Sequence, residues 1–269
     1  MTVLSAACTG SAAPGKEPET RWERTGYYIK EKYMRLDKFL ADMNQGTRKE
    51  LKQLIRKGLV TVDGVTVKDP GTAVTKTSDI VLAGIPVVYN EYEYYMMNKP
   101  RGVITATEDA QQETVLDLMA GEHRKDISPV GRLDKDTVGL LLITNDGNLA
   151  HRLLSPKHHV DKCYFAKVQG NVTKDDAEKF AEGVNIGTED EPEITMPGKL
   201  DIIKSDDLSE IRLTIQEGKF HQVKRMFQAV GKEVVYLKRE RMGSLILDDN
   251  LAEGEYRMLT EEELKNLLF

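Results

Sequence analysis

The dipeptide Asp63-Gly64, flanked by Val60, Val62, Val65 and Val67, dictates a tight two-residue β-hairpin. The residues before it are equally restrictive. Leu36, Phe39, Leu40 and Met43 recur at i, i+3, i+4 and i+7, the spacing of an amphipathic helix that Gly46 ends. Thr47 and Glu50 then have capping-box spacing, since the hydroxyl accepts from the third helical amide while the carboxylate reaches back. Leu51, Leu54 and Ile55 give this second helix a buried face, and Gly58 is placed to stop it. A helix–turn–helix–hairpin unit is therefore expected over 34–80. Residues 81–92, punctuated by Gly84, Pro86 and Asn90, read as a linker, and a longer domain follows over 93–269.

Residues 1–33 lack this patterning. Ser, Ala, Gly, Thr and Pro dominate Ser5 to Pro18, and no Lys or Arg precedes the short apolar stretch Val3 to Cys8, so a secretory signal is not expected. The segment reads either as a disordered leader or as sequence upstream of a true start at Met34.

The net charge of −6 argues at first against a nucleic-acid partner, but its distribution argues for one. Met34 to Val60 carries seven Lys/Arg against three Asp/Glu, and Glu217 to Arg241 again seven against three. From Asn171 to Ile211 there are twelve acids against four bases, so the acidity is confined to one middle stretch. Arg48, Lys52 and Arg56 align at i, i+4 and i+8, with Lys49 beside them, as a basic stripe on the second helix. No apolar run is long enough to cross a bilayer. Cys8 and Cys163 have neither metal-ligand spacing nor the look of a disulfide framework, so a reducing, cytoplasmic setting is the default.

In the longer domain, Tyr94 to Met97, Leu140 to Thr144, Lys162 to Val168 and Ile211 to Ile215 read as strands. Asp175 to Glu182, Phe220 to Val230 and Glu261 to Leu268 read as helices, the last capped by Thr260 with Glu263. This predicts an α+β fold on a mostly antiparallel sheet. No Gly-rich phosphate loop or dinucleotide fingerprint is present, so a nucleotide or nicotinamide cofactor is unsupported. His151, His158 and His159 lack the Cys or carboxylate partners of a metal site.

The most unusual stretch is Pro129 to Gly147, PVGRLDKDTVGLLLITNDG. Arg132 and Asp134 flank Leu133 in a loop that feeds the apolar run Leu140 to Ile143, so a rigid strand would hold them. By composition alone they are an ordinary Arg–Asp pair in a turn. This wording resembles the defining motif of the RsuA-type pseudouridine synthases. Other segments resemble that family in the same order: Asn98 to Gly102, Ser155 to His159, Lys162 to Tyr164, Glu217 to Phe227, Glu240 to Gly243 and Gly254 to Arg257. The unit at 34–80 is similar to the alpha-L RNA-binding module of ribosomal protein S-four, through RLDKFL at 35–40 and VTVDG at 60–64.

The resemblance, which spans about residues 34–264, implies an α+β pseudouridine synthase domain behind a small RNA-binding module. It puts the catalytic aspartate at Asp134, an active-site tyrosine at Tyr164, a basic partner at Lys224 and the base-displacing arginine at Arg132. Lys224 is expected on a helix whose core face is Phe220, Val223, Phe227 and Val230. Arg48, Lys49, Lys52, Arg56, Lys99, Arg101, His221, Arg225, Arg239 and Arg241 are expected to contact RNA, largely at phosphates. The implied substrate is 16S ribosomal RNA at uridine 516, naked or in an assembly intermediate, with a monomeric enzyme. The same chemistry on 23S RNA and a non-catalytic ribosome-assembly protein are the rivals. A carboxylate-pair hydrolase is disfavoured, because one acid and a lysine stand where two acids would be needed. Isomerisation changes no oxidation state and needs no cofactor. Asp134 would either add at C1′ or remove a sugar proton.

Overall fold

The computed structural model describes residues 33–269, apart from 120, 122 and 269; the expected leader at 1–33 lies, but for Tyr33, outside the described residues. Strand β1 (Met34–Arg35) leads into helix α1 (Leu36–Asp42), and α2 (Arg48–Arg56) follows after a short turn. The capping box forms: the Thr47 amide donates to Glu50 at 2.9 Å, and the Glu50 amide donates to the Thr47 hydroxyl at 3.3 Å. Strands β2 (Val60–Val62) and β3 (Val65–Val67) make the hairpin, with Asp63 and Gly64 both at positive φ, as the turn requires.

The stretch expected to be a linker is partly sheet. β4 (Ala73–Val74) pairs with β1, while β5 (Ile80–Leu82) and β6 (Ile85–Pro86) extend the hairpin to the order β3-β2-β5-β6. Gly84 marks a second tight turn there and Pro86 an edge strand, where a missing N–H costs no ladder bond. Leu36, Phe39, Leu40, Leu51, Ile55, Val60 and Val87 join in one buried core, so the module's packing continues past residue 80.

The remaining strands build a nine-stranded sheet. They are β7 (Tyr94–Lys99), β8 (Ser128–Pro129), β9 (Val138–Thr144), β10 (Lys162–Gln169), β11 (Lys199–Lys204), β12 (Leu208–Ile215), β13 (Glu233–Met242), β14 (Leu245–Ile246) and β15 (Tyr256–Met258). Their order is β11-β12-β10-β13-β9-β7-β15, with β8 on β9 and β14 on β13. Every pairing is antiparallel except β13 with β9, which is bonded over two residue pairs, Lys238 with Val138 and Arg239 with Gly139. The fold is α+β on a mostly antiparallel sheet, with this short parallel seam at its centre.

Helices α3 (Gly147–Leu154), α4 (Lys174–Glu182), α5 (Gln222–Ala229) and α6 (Glu261–Leu268) cover the sheet. Asn145-Asp146-Gly147, which reads as a turn, opens α3: the Asp146 carboxylate accepts the amides of Asn148 and Leu149, both at 3.0 Å. Helix α5 begins later than its apolar spacing suggests. His221 sits at φ 48°, and the Gln222 side chain folds back to accept the Lys219 amide and donate to Glu217. The buried face of α5 is therefore Val223, Met226 and Phe227, while Phe220 is 69% exposed and Val230 only half-buried. Among the described residues no helix is long and apolar enough to cross a membrane.

Candidate active site

The loop 131–137 enters β9 at the parallel seam. Leu133 is buried in the core formed with Tyr164, Val223 and Leu237, and Thr105 fixes its backbone from both sides. The Thr105 hydroxyl donates to the Leu133 carbonyl at 2.7 Å and accepts its amide at 3.1 Å. The Thr137 amide closes a turn on the Asp134 carbonyl at 3.1 Å, and the Gly102 amide donates to the Lys135 carbonyl at 2.8 Å. With Leu133 anchored inward, the flanking Arg132 and Asp134 line a cleft of about 630 Å³, a size suited to a nucleotide.

Helix α5 and the residue just before it supply the groups facing Asp134. Lys224 Nζ lies 3.4 Å from one Asp134 oxygen, and His221 Nε2 lies 3.5 Å from the other. Lys224 makes a closer contact, 2.6 Å, with Asp136. Burial raises the Asp136 pKa, but the hydrogen bond and charge of Lys224 outweigh it and hold the carboxyl below its ordinary range. One ammonium thus bridges two carboxylates. Asp136 stands out in the sequence only as part of the Lys135-Asp136-Thr137 wording that favours the 16S reading, and nothing there marks it as a partner of Lys224. Tyr164, on β10, lines the same cleft and is buried between β12 and β13, opposite Leu213 and Arg239.

The residues expected to contact RNA meet quite different surroundings. Arg48, Lys49 and Arg56 are exposed on α2, and Lys52 is half-buried with its Nζ 3.9 Å from Asp37. Arg101 is exposed beside the Val235 carbonyl at 3.4 Å; Arg241 is half-buried, 3.7 Å from Asp161. Arg225 is half-buried, and its guanidinium is held by groups of the chain itself. It donates to Glu193 at 2.7 Å and to the Ile186 carbonyl, because the acidic stretch folds back onto α5.

Lys99 and Arg239 are not on the surface at all. Lys99 is 0% exposed at the end of β7, and its ammonium donates to the carbonyls of Pro100 (3.0 Å), Asp134 (3.2 Å) and Thr137 (3.0 Å), with Lys135 at 3.4 Å. It staples the strand to the loop. Burial lowers its pKa to about 8, although Asp136 and Asp134 pull the other way. Arg239 is 2% exposed. A bulge in β13 at Glu240 shifts the register between Cys163 and Tyr164, so Arg239 and Met242 point inward and Arg241 does not.

The expected residues Arg132, Asp134, Tyr164, His221 and Lys224 come together in one cleft, although they are up to 92 positions apart in the chain. The chain is also similar to known proteins over most of its length. The family model described as RNA pseudouridylate synthase matches residues 93–229, and that of the S4 domain matches 34–81. An uncharacterized RNA pseudouridine synthase of Bacillus subtilis is 51% identical over 234 residues, covering 86% of this chain and 97% of that one. The ribosomal small subunit pseudouridine synthase A of Vibrio cholerae is 44% identical, covering 87% and 99% of the two chains; that of Escherichia coli is 42% identical, covering 87% and 100%. A crystal structure of a pseudouridylate synthase superposes with a TM-score of 0.60 at 38% identity, over 87% of this chain and 99% of that one. With a family model spanning half its length and relatives matched nearly end to end, the chain belongs to the RNA pseudouridine synthases, enzymes that isomerise uridine within RNA.

Proposed function

We propose that this enzyme converts one uridine of small-subunit ribosomal RNA to pseudouridine, with Asp134 as the carboxylate acting at the reacting sugar. The observation that carries the chemical assignment is the Asp134 carboxylate in the cleft, with Lys224 and His221 at its two oxygens. The substrate assignment is supported by the Vibrio cholerae and Escherichia coli relatives, both named for the small ribosomal subunit. The 16S site is the reading favoured over a 23S site, and the RNA is taken either naked or in an assembly intermediate. A cytoplasmic monomer suits this role.

In the reaction the N1–C1′ bond breaks, the uracil turns, C5 bonds to C1′, and the C5 proton leaves as N1 gains one. Asp134 either adds at C1′ and is later displaced or takes a sugar proton as the bond breaks. Both routes need the carboxylate ionised, and the Lys224 ammonium at 3.4 Å favours that form. Tyr164 offers its ring to the uracil and its hydroxyl to the proton traffic. The target base must leave its stack, at a cost of roughly a few kcal/mol, and Arg132, exposed at the cleft, fills the vacancy in this reading. The basic face of α2 holds RNA away from the chemistry and raises its local concentration.

Two measurements test this. Asp134→Asn should abolish pseudouridine formation while leaving RNA binding intact; turnover at the wild-type rate would refute the assignment. In a deletion strain, pseudouridine mapping should lose a 16S site. Loss of a 23S site with 16S intact would refute the substrate.

A further inference from the structure

Lys162 has no role so far, and Arg239, expected among the RNA contacts, is recessed in the cleft and not exposed on the surface. Lys162 is 4% exposed and Arg239 is 2% exposed; they stand on adjacent strands and line the same cavity as Asp134 and Tyr164. Among the described residues Lys162 Nζ has a single hydrogen bond, 3.3 Å to the Val160 carbonyl. Arg239 Nε donates to the Leu140 carbonyl at 2.8 Å, but its Nη2 is buried with no partner. Five donors on a guanidinium and three on an ammonium are therefore largely unspent.

Among the described residues no carboxylate forms an ion pair with either cation; the charges of Asp161 and Glu217 act on Lys162 from further off, and the nearby acids are committed elsewhere. Asp161 accepts from Gln216 at 3.0 Å and faces Arg241 at 3.7 Å. Glu217 accepts the Met196 amide at 2.7 Å and the Gln222 side chain at 2.8 Å. Asp134 is flanked by Lys224 and His221. Burial, with the adjacent Arg239 charge, lowers the Lys162 pKa. Two like charges buried side by side are costly unless an anion completes them. Arg239 is paired directly with Tyr164, two residues from Lys162 on the same face of β10, and the bulge at Glu240 keeps Arg241 off that face, so the arrangement is built into the sheet.

We infer that Lys162 and Arg239 form a recessed anion subsite that takes one phosphodiester of the RNA strand, the one adjoining the uridine whose base enters the cleft. Exposed cations at the cleft mouth, Arg132 and Lys135, attract the strand, whereas this pair fixes a single linkage at the depth of the chemistry. The inference rests on the function proposed above. It differs from surface phosphate binding in predicting one privileged phosphate instead of a summed field.

The test uses the full chain and two probes. By NMR titration at low salt, one of uridine 3′- and 5′-monophosphate should bind at least about tenfold more tightly than uridine. Lys162→Met should erase that preference, Lys162→Arg should keep most of it, and Lys157→Met, removing a neighbouring exposed cation, should leave it unchanged. In the second experiment, substrate RNAs carry a single neutral methylphosphonate at each linkage near the target. One linkage should cost about tenfold or more in kcat/KM with the wild-type enzyme, and the others at most about twofold. That penalty should vanish in Lys162→Met, since the charge is no longer read. Equal affinity for uridine and both phosphates would overturn the subsite and leave a neutral ligand such as a uracil carbonyl. Equal losses from Lys157→Met and Lys162→Met, or methylphosphonate effects all within about twofold, would also overturn it. If Lys162→Met fails to fold, the wild-type methylphosphonate scan decides alone. If the wild-type enzyme modifies no ribosomal RNA, the function reading fails, while the nucleotide titration still reports on the subsite.

Discussion

Replacing Lys99 with methionine isolates what a buried cation does for the loop that carries Asp134. The ammonium serves four backbone carbonyls, three of them at 3.0 to 3.2 Å. An unsatisfied buried carbonyl costs about 1 kcal/mol at the low end, so losing the three short bonds costs about 3 kcal/mol. Methionine fills similar volume and relieves the burial of a charge, which offsets part of that loss, leaving a net destabilisation of about 2 kcal/mol. The larger effect should be on chemistry. Two of the carbonyls belong to Asp134 and Thr137, and a loop displaced by about 1 Å costs on the order of 10²-fold in rate. RNA affinity should not change, because the side chain has no exposed surface. Single-turnover pseudouridine formation with saturating enzyme separates the two.

A pH arm checks the same group. The Lys99 pKa falls from 10.5 to about 8 on folding, so between those values the unfolded chain binds more protons. Wild-type stability should therefore gain a rising contribution from about pH 8 to 10.5, while below pH 8 the burial penalty is present in full. Lys99→Met should lack that rise in urea titrations. Weakened RNA binding with an unchanged single-turnover rate would refute the reasoning and place Lys99 at the RNA.

Three further outcomes are expected. Replacing Arg48, Lys52 and Arg56 together with Ala should weaken RNA binding and lower its log–log salt slope by about 0.7 to 0.9 for each phosphate no longer neutralised, without changing the saturated rate; filter binding across salt concentrations reads this directly. Gly139→Ala should destabilise the fold by at least about 3 kcal/mol in chemical denaturation. The glycine lies at φ 102° on the parallel seam, where an added Cβ would overlap the Arg239 carbonyl and sit 2.9 Å from its amide nitrogen. Glu263→Gln should flatten the acid limb of thermal stability. Hydrogen bonds from Arg257 at 2.8 and 2.9 Å outweigh burial and hold the Glu263 carboxyl at about 2, so its contribution is complete above pH 4.5 and is lost as pH falls towards 2.

Local signals in the chain were strong wherever one segment satisfies its own constraints. The Thr47–Glu50 box, the Asp63-Gly64 turn and the apolar run into β9 each form within a few residues, so propensity and pattern suffice to find them. Phe220 shows where such reasoning stops. Its spacing with Val223 and Phe227 suits a helix core, but the Gln222 side chain and the left-handed His221 end the helix first, and neither has a periodicity to read. Strands β5 and β6 were hidden for a related reason. Gly84 and Pro86 mark turns and linkers alike, and only the pairing of β5 with β2 distinguishes them.

Asp134, Tyr164 and Lys224 were nameable from the sequence because motif wording survives in linear order. What the sequence alone determined is the two-module plan, the α+β class and the identity of the side chains gathered in the cleft. Only tertiary structure decided how the charges are spent. It bridges Lys224 between Asp134 and Asp136, turns Arg225 onto Glu193, and buries Lys99 against loop carbonyls and Arg239 opposite Tyr164. A lysine or arginine has the same charge in either setting. Whether it meets solvent, a carboxylate or a carbonyl depends on strands and loops distant in the chain, and that choice is made by packing.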